Sequence, residues 1–531
     1  MEINFLGFSF SLTWFLVGAI FIIYICNDLW IRSYWTRHGF KSPKSVPIFG
    51  NTLQWTKGIQ HAFLDYFKKQ GTVFGVYDFH RPGLCITDLD LLRNIMVKDF
   101  GSFTNRWATP LLNHDLLDAL FFSKDDHWKG IRNIITPTFS AAKMKLMSPL
   151  INKCADRLLK HLEKHQKIHG NIECRELVGA FVMDTIASCA FGLNVDCQEN
   201  RHHPFVTNAK KAFAGNTFSS PLLVIVSLFP WTLPILEYLD FNIIDRKSTT
   251  FFVDIVRKTS AVRRESKKSD GEKRIDYLQL LLDAQMRDIT GNNKNKADGI
   301  HGDPEDEAID EGGLQKKSSS KIRLNESEVI SQALIFFLAG YETTNTTCGY
   351  MLYLLATHPD VQDKLVNEID DVAPEAEDVG YQSISKMPYL EQIFCETERI
   401  YPPALMTDRV CNEPFDINGF TVPKGMRIFI PIFTIHHDPN LWPDPETYDP
   451  DRFSKENREK HHPCAWMPFG TGPRNCVGMR FAMMEAKMVI VRILQKYQIE
   501  TCPQTEIPPK QGTNGLISPP NGITLRAVKR N

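Results

Sequence analysis

The chain has 531 residues, enough for one large domain or two to three ordinary ones, and 43% of them are hydrophobic. Its 61 basic and 62 acidic residues leave a formal charge of −1, which excludes the electrostatic footprint of a nucleic-acid binder. The twelve cysteines are scattered without Cys-x-x-Cys spacing, which argues against a disulfide framework or a zinc site and fits a reducing compartment.

The first element is an apolar run from about Phe5 to Cys26, just long enough to cross a bilayer. A cleaved signal peptide and a buried core helix compete with that reading. The start, Met1-Glu2-Ile3-Asn4, has no basic residue, and Asn27-Asp28-Leu29-Trp30 is no cleavage site. Arg32, Arg37, Lys41 and Lys44 all follow the run, so positive-inside bias leaves the remainder in the cytosol. Trp30, Tyr34 and Trp35 fit an interfacial aromatic belt. The expectation is an uncleaved anchor over 1–27, a basic, proline-rich hinge over 28–50, and one catalytic body over 51–531. In the hinge, Pro43 and Pro47 bar a continuing helix.

Strand-like pieces follow at Val73–Tyr77 and Leu84–Thr87, with turn residues between them. Trp128-Lys-Gly-Ile-Arg132 places Trp128 and Arg132 on one helical face, which an ordinary surface helix would also explain. Apolar periodicity predicts helices near 142–165, 175–192, 250–266, 326–357, 359–372 and 478–497. The class is mainly α with a minor sheet. Residues 287–322 are polar and carry too little apolar surface to fold, so a mobile surface loop is expected there. Asn325-Glu-Ser-Glu328 then reads as an N-cap with a glutamate three residues on.

The helix that follows contains Ala339-Gly-Tyr-Glu-Thr-Thr344. Gly340 costs roughly 1 kcal/mol relative to alanine in a helix interior. Glu342 is a charge in an apolar helix, which is rarely buried without a partner. Such local breaks mark functional sites and suggest a bulged helix beside a pocket. A helix with Thr343 back-bonded to the i−4 carbonyl competes with that reading. Further on, Glu396 and Arg399 share a helical face, and by spacing alone they make a surface ion pair of little worth.

The most informative stretch is Phe469-Gly-Thr-Gly-Pro-Arg-Asn-Cys-Val-Gly478, a glycine-punctuated loop running into an apolar helix. Gly470, Gly472 and Gly478 permit backbone that a Cβ would forbid and allow close approach to a flat ligand. Cys476 at a helix N-terminus is favoured as a thiolate. Such a thiolate can be the protein ligand of an iron porphyrin, where it favours O–O cleavage. Arg474 is placed to pair with a porphyrin propionate, and Phe469 to shield the sulfur from water. A lone cysteine is otherwise usually a small core residue.

Phe469, Gly472, Arg474, Cys476 and Gly478 match the F-x-x-G-x-R-x-C-x-G signature of the cytochromes P450. The longer run MPFGTGPRNCVGMRFAMMEAK resembles the animal family-3 drug-metabolising members, and the likeness extends over nearly the whole chain. The resemblance implies the P450 fold and haem b with a cysteine thiolate ligand. It implies a proton-delivery role for Thr343 and Glu342 in oxygen activation, with Ala339 and Gly340 lying over the haem face. Glu396-x-x-Arg399 matches the family's structural brace, with Arg452 as its partner. Trp128 and Arg132 match a propionate-binding motif, and Arg106 and Arg409 are further propionate candidates by resemblance.

The implied activity is insertion of one oxygen atom into a lipophilic substrate, a xenobiotic, steroid or fatty acid. Its electrons would come from NADPH-cytochrome P450 reductase, with cytochrome b5 as a further partner. Lys124, Lys129, Lys455, Arg458 and Lys460 offer a basic docking face. By resemblance Phe121, Phe213, Phe218, Ile335, Phe336, Ala404, Leu405 and Leu516 line the substrate cavity. The implied location is the endoplasmic reticulum membrane, with a single-pass anchor and a cytosolic catalytic domain. Two other readings stay open: a P450-type isomerase of lipid peroxides, and a non-catalytic haem or lipid carrier.

Overall fold

The computed structural model describes residues 2–5, 8–200, 202–213, 220–266, 276–286, 323–417, 419–513 and 515–530. The polar stretch 287–322 and Phe218 lie outside the described residues. Helices dominate, the longest in the body being Ala141–His169, Cys174–Phe191, Arg246–Ser266 and Glu326–Thr357. Pro388–Ile400 and Met479–Leu494 complete the frame around the site. The last helix stops three residues before the expected end, because Tyr497–Glu500 turns into a strand paired with Thr524–Lys529.

The larger sheet has the order Val73–Asp78, Arg81–Ile86, Arg427–Ile430, Thr407–Val410. Its middle pair runs parallel, with Leu84 opposite Ile428, and the outer pairs are antiparallel. Arg409 thus projects from a sheet strand, while Arg132, Thr343 and Arg399 project from helices.

Glu326–Thr357, the site helix, begins with the expected capping box: Asn325 accepts from the Glu328 N–H at 2.9 Å, and Glu328 accepts from the Asn325 N–H at 2.6 Å. It runs unbroken for 32 residues, so the expected bulge at Gly340 is absent. It crosses Cys174–Phe191 closely at Gly179, where a Cβ would stand 3.0 Å from Asn345 Nδ2 and 3.1 Å from the Tyr341 hydroxyl. Phe337 stacks on Phe191 at 4.0 Å and Tyr350 on Tyr401 at 4.0 Å, tying the helix into the core along its length.

The apolar N-terminal helix spans Leu12–Arg32, preceded by a short hairpin of Glu2–Phe5 and Phe8–Ser11. Among the described residues, its Trp14–Arg32 stretch is the one single helix long and apolar enough to cross a membrane, and it is 6% buried. The helix continues past residue 27 because Asp28 is buried and accepts from Arg32 Nε at 2.7 Å and from the Ile48 N–H at 3.0 Å. The following segment is packed onto the body. Trp35 is fully buried on the sheet, its Nε1 donating to the Val76 carbonyl at 3.1 Å. A Cβ on Gly75 would overlap the Trp35 ring at 2.1 Å. A second apolar surface comes from Pro221–Leu228 and Pro230–Tyr238, which meet at a 116° bend and expose Ile225, Phe229, Trp231, Ile235 and Tyr238.

Candidate active site

The cysteine loop is shaped by backbone. Gly470 and Gly472 both have φ of +71°, and a Cβ on Gly472 would sit 1.9 Å from the Met96 carbonyl oxygen. Only glycine fits there. Gly478 differs from the expectation: its φ is −89°, an ordinary value, and a Cβ would meet nothing nearer than Phe139 at 4.0 Å. The Cys476 N–H donates to the Phe469 carbonyl at 2.8 Å, which closes the loop, and the helix Met479–Leu494 follows directly. The Phe469 ring lies parallel to Phe394 at 6.2 Å and near Trp466 at 6.4 Å, which fixes the loop's entry.

Cys476 is accessible, yet its surroundings desolvate it. Its accessible surface therefore opens into an interior space. Burial pushes its thiol up, while the Gly478 N–H, Arg132 and Arg106 pull it down.

Four arginines converge on this space. Arg132 donates to the Asn475 carbonyl at 2.8 Å and to its side-chain oxygen at 2.5 Å, gripping the residue before the cysteine. Arg474 donates to the Ser123 carbonyl at 2.6 Å, and its guanidinium lies 4.4 Å over the buried Trp128 ring. Arg106 reaches the Arg474 carbonyl at 3.4 Å and lies 4.2 Å over Phe121. Arg409 is buried and donates to the Asp408 carbonyl at 2.7 Å. Burial, then the neighbouring Arg106, lowers Arg409 and Arg474 each to about 9. A guanidinium stays protonated in a protein, so this depression marks positive charge short of anions. The nearby carboxylates are engaged elsewhere: Asp408 accepts from the Trp107 N–H and from Arg427, and Asp125 from Asn105. The buried Nε atoms of Arg106, Arg409 and Arg474 have no partner among the described residues. A ligand carrying two carboxylates beside the cysteine would satisfy these donors, and the propionates of a haem have that chemistry.

The site helix also presents an open face. Between fully buried stretches, Ile335, Phe336, Gly340 and Thr343 are half-buried and Ala339 is exposed, so one face is open. Gly340 itself serves packing: a Cβ there would stand 3.0 Å from Ile186 Cδ1, so it is Ala339 that faces the open space. The Thr343 hydroxyl donates to the Ala339 carbonyl at 2.7 Å, the i−4 bond weighed above. Glu342 is buried in an ion pair with Arg175 of the neighbouring helix, a partner that sequence spacing 167 residues away did not reveal.

Below the cysteine loop sits the brace. Glu396 and Arg399 are fully buried and joined by two hydrogen bonds of 2.7 Å. Arg399 also donates to the His436 carbonyl at 2.9 Å, and Arg452 approaches Glu396 at 3.4 Å. His436 in turn accepts from the Met467 N–H at 3.0 Å, two residues before Phe469. The brace thus reaches the approach to the cysteine loop through His436, and its helix does so again where Trp466 Nε1 donates to the Cys395 carbonyl at 2.9 Å. Of the expected cavity residues, Ala404 and Leu516 meet in a β-bridge, and Leu405 is 2% exposed. Phe336 belongs to an aromatic cluster with Tyr277, Phe139 and Phe481.

An accessible cysteine in a rigid glycine loop, an arginine cradle short of anions, and an open helix face with a threonine define the site of a haem-thiolate enzyme. The chain belongs to the cytochrome P450 family, whose sequence model matches residues 40–527. It is 36% identical over 524 residues to cytochrome P450 3A14 of Cavia porcellus, covering 98% of each chain. It is 37% identical over 528 residues to cytochrome P450 3A40 of Oryzias latipes, covering 99% of each. Cytochrome P450 3A27 of Oncorhynchus mykiss is 35% identical, with 99% of this chain and 96% of that one covered. The enzyme is a P450 monooxygenase whose cofactor is a haem with a cysteine axial ligand.

Proposed function

We propose that Cys476 supplies the axial thiolate, and that the enzyme inserts one oxygen atom into lipophilic molecules drawn from the membrane. The observation that carries the ligand assignment is the accessible Cys476 facing an interior space ringed by arginines with unpartnered donors. Arg106, Arg132, Arg409, Arg474 and Trp128 would hold the haem. When bound, the haem supplies oxygen activation, with the thiolate pushing electron density toward iron.

The chain's own groups then have defined tasks. Gly472 and the Phe469 carbonyl hold the Cys476 backbone. Ala339 leaves room on the open helix face. The Thr343 hydroxyl is the proton carrier nearest that face, and it must leave the Ala339 carbonyl to donate elsewhere. Glu342, kept by Arg175, holds a charge one residue away rather than carrying the proton itself.

Substrate would enter from the bilayer. The anchor is fixed to the body through Asp28, Arg32 and Trp35, and the exposed apolar bend around Trp231 offers a second membrane contact. Positive residues after the anchor favour a cytosolic body, and the family resemblance favours the endoplasmic reticulum. Lys124, Lys129, Lys455, Arg458 and Lys460 are exposed, as docking of an acidic flavoprotein reductase, or of cytochrome b5, requires. The test is turnover of a panel of steroids, fatty acids and xenobiotics by membranes containing the enzyme. NADPH- and reductase-dependent oxygenation is expected. Rearrangement of a lipid peroxide without reductase, and no oxygenation of any panel member, would instead establish the isomerase.

A further inference from the structure

Glu398 lies inside the brace helix, between Thr397 and Arg399, yet takes no part in the brace. Its side chain is 1% exposed, and no cation pairs with it among the described residues. Glu396 has taken Arg399 and Arg452. The contact that Glu398 does make is with Thr347, whose oxygen lies 2.5 Å from Glu398 Oε1. Thr347 lies one turn beyond Thr343 on the site helix, and its oxygen is also 3.1 Å from the Thr343 carbonyl.

One proton arrangement makes both contacts hydrogen bonds at once. Thr347 has a single hydroxyl proton. A carbonyl oxygen only accepts, so in that arrangement the bond to Thr343 uses that proton. The Glu398 contact is then a hydrogen bond only if Glu398 is the donor, and a carboxyl donates only when protonated. An ionised Glu398 would be a buried, unpaired charge, which proteins avoid by neutralising the group. The chain of bonds therefore runs from the Glu398 carboxyl through the Thr347 hydroxyl to the Thr343 carbonyl.

We propose that Glu398 is a positioning residue: held protonated, it donates to Thr347 and thereby fixes the Thr343 turn of the site helix. This rests on the role given to Thr343 above. Burial raises the Glu398 carboxyl to about 8, so the proton is lost just above neutral pH. The groups facing it are few. Cys476 and Cys348 lie within electrostatic reach, and burial keeps the Cys348 thiol protonated. His436 packs behind the brace and burial keeps it neutral, while on its own helix Glu396 and Arg399 neutralise each other. None of these supplies a compensating positive charge. Once ionised, Glu398 would reverse the direction of the Thr347 hydroxyl, release the Thr343 carbonyl, and place negative charge near the thiolate.

The test is infrared difference spectroscopy of the haem-loaded enzyme across pH, paired with the coupling of NADPH consumption to product. A protonated-carboxyl band is expected at pH 7, shifted in D2O, lost as pH rises through about 8, and missing from Glu398→Gln. Wild-type coupling should fall over the same pH interval, and the haem reduction potential should fall with it. In Glu398→Gln, whose amide also donates to Thr347, both should stay level across that interval. In Glu398→Leu, coupling should be lost at every pH. Absence of the band at pH 7, or a Glu398→Gln profile that still bends as wild type does, would overturn the proposal. The role of Thr343 fails separately: Thr343→Ala with normal coupling would remove it and leave the carboxyl band in place.

Discussion

Single residues in this protein answer to contacts that can be named. Gly472 is fixed by the Met96 carbonyl and by its positive φ together. Gly472→Ala must move the backbone of the cysteine loop, so the purified variant should contain little or no haem, read as the haem-to-protein ratio. Gly478→Ala meets no such barrier and should fold with its loop intact. Glu398 carries a linkage effect as well. Its folded value is about 8 against an ordinary 4.5, so between those pH values the folded state keeps a proton that the unfolded chain has released. The group's stabilisation is therefore complete below about pH 4.5, falls as pH rises toward 8, and is gone above it. Urea unfolding should show wild type losing stability relative to Glu398→Gln over that interval. A constant difference between the two would refute the assignment.

Elements carry these residues, and here sequence and structure diverge in instructive ways. The helices with strong apolar periodicity were legible, and so was the capping box at Asn325, because both are local signals. The expected bulge was not found. Gly340 reads as a weak point in sequence, but in space it is a contact with Ile186, 154 residues earlier on another helix. The same limit hid Arg175, which neutralises Glu342. It also hid Thr347 and Glu398, whose pairing depends on how two helices cross, although a second glutamate between Glu396 and Arg399 was a visible oddity. The brace itself could be placed only by its family motif, since its spacing equally suits a surface ion pair. Its burial now gives it weight. Arg399→Leu would strand Glu396 in the interior and should cost about 3–5 kcal/mol, seen in thermal unfolding or as loss of soluble protein. Arg452→Leu, which loses a 3.4 Å contact to Glu396 and a 3.1 Å bond to the Asp444 carbonyl and is less buried, should cost clearly less.

At the scale of the whole molecule, the apolar N-terminal helix fits a membrane anchor, and the exposed bend around Trp231 is the second membrane contact proposed above. The end of the anchor helix is tied to the body: Asp28 accepts from the Ile48 N–H at 3.0 Å, the Tyr77 hydroxyl donates to the Arg32 carbonyl at 2.7 Å, and Trp35 just beyond is buried on the sheet. This makes the angle between anchor and body a property of packing rather than of a loose hinge. Removal of residues 1–27 should leave a folded enzyme that still sediments with phospholipid vesicles, because the bend around Trp231 and Tyr238 remains exposed. Adding Trp231→Glu and Tyr238→Glu should release it into the supernatant. Release by the truncation alone would show that the bend holds no membrane. The arginine cradle, brace and open helix face all converge on one sulfur, so the most direct measurement is the carbon monoxide difference spectrum and haem content of Cys476→Ala. Loss of the thiolate-type spectrum together with all turnover is expected. Unchanged haem content, spectrum and turnover in that variant would contradict the whole assignment.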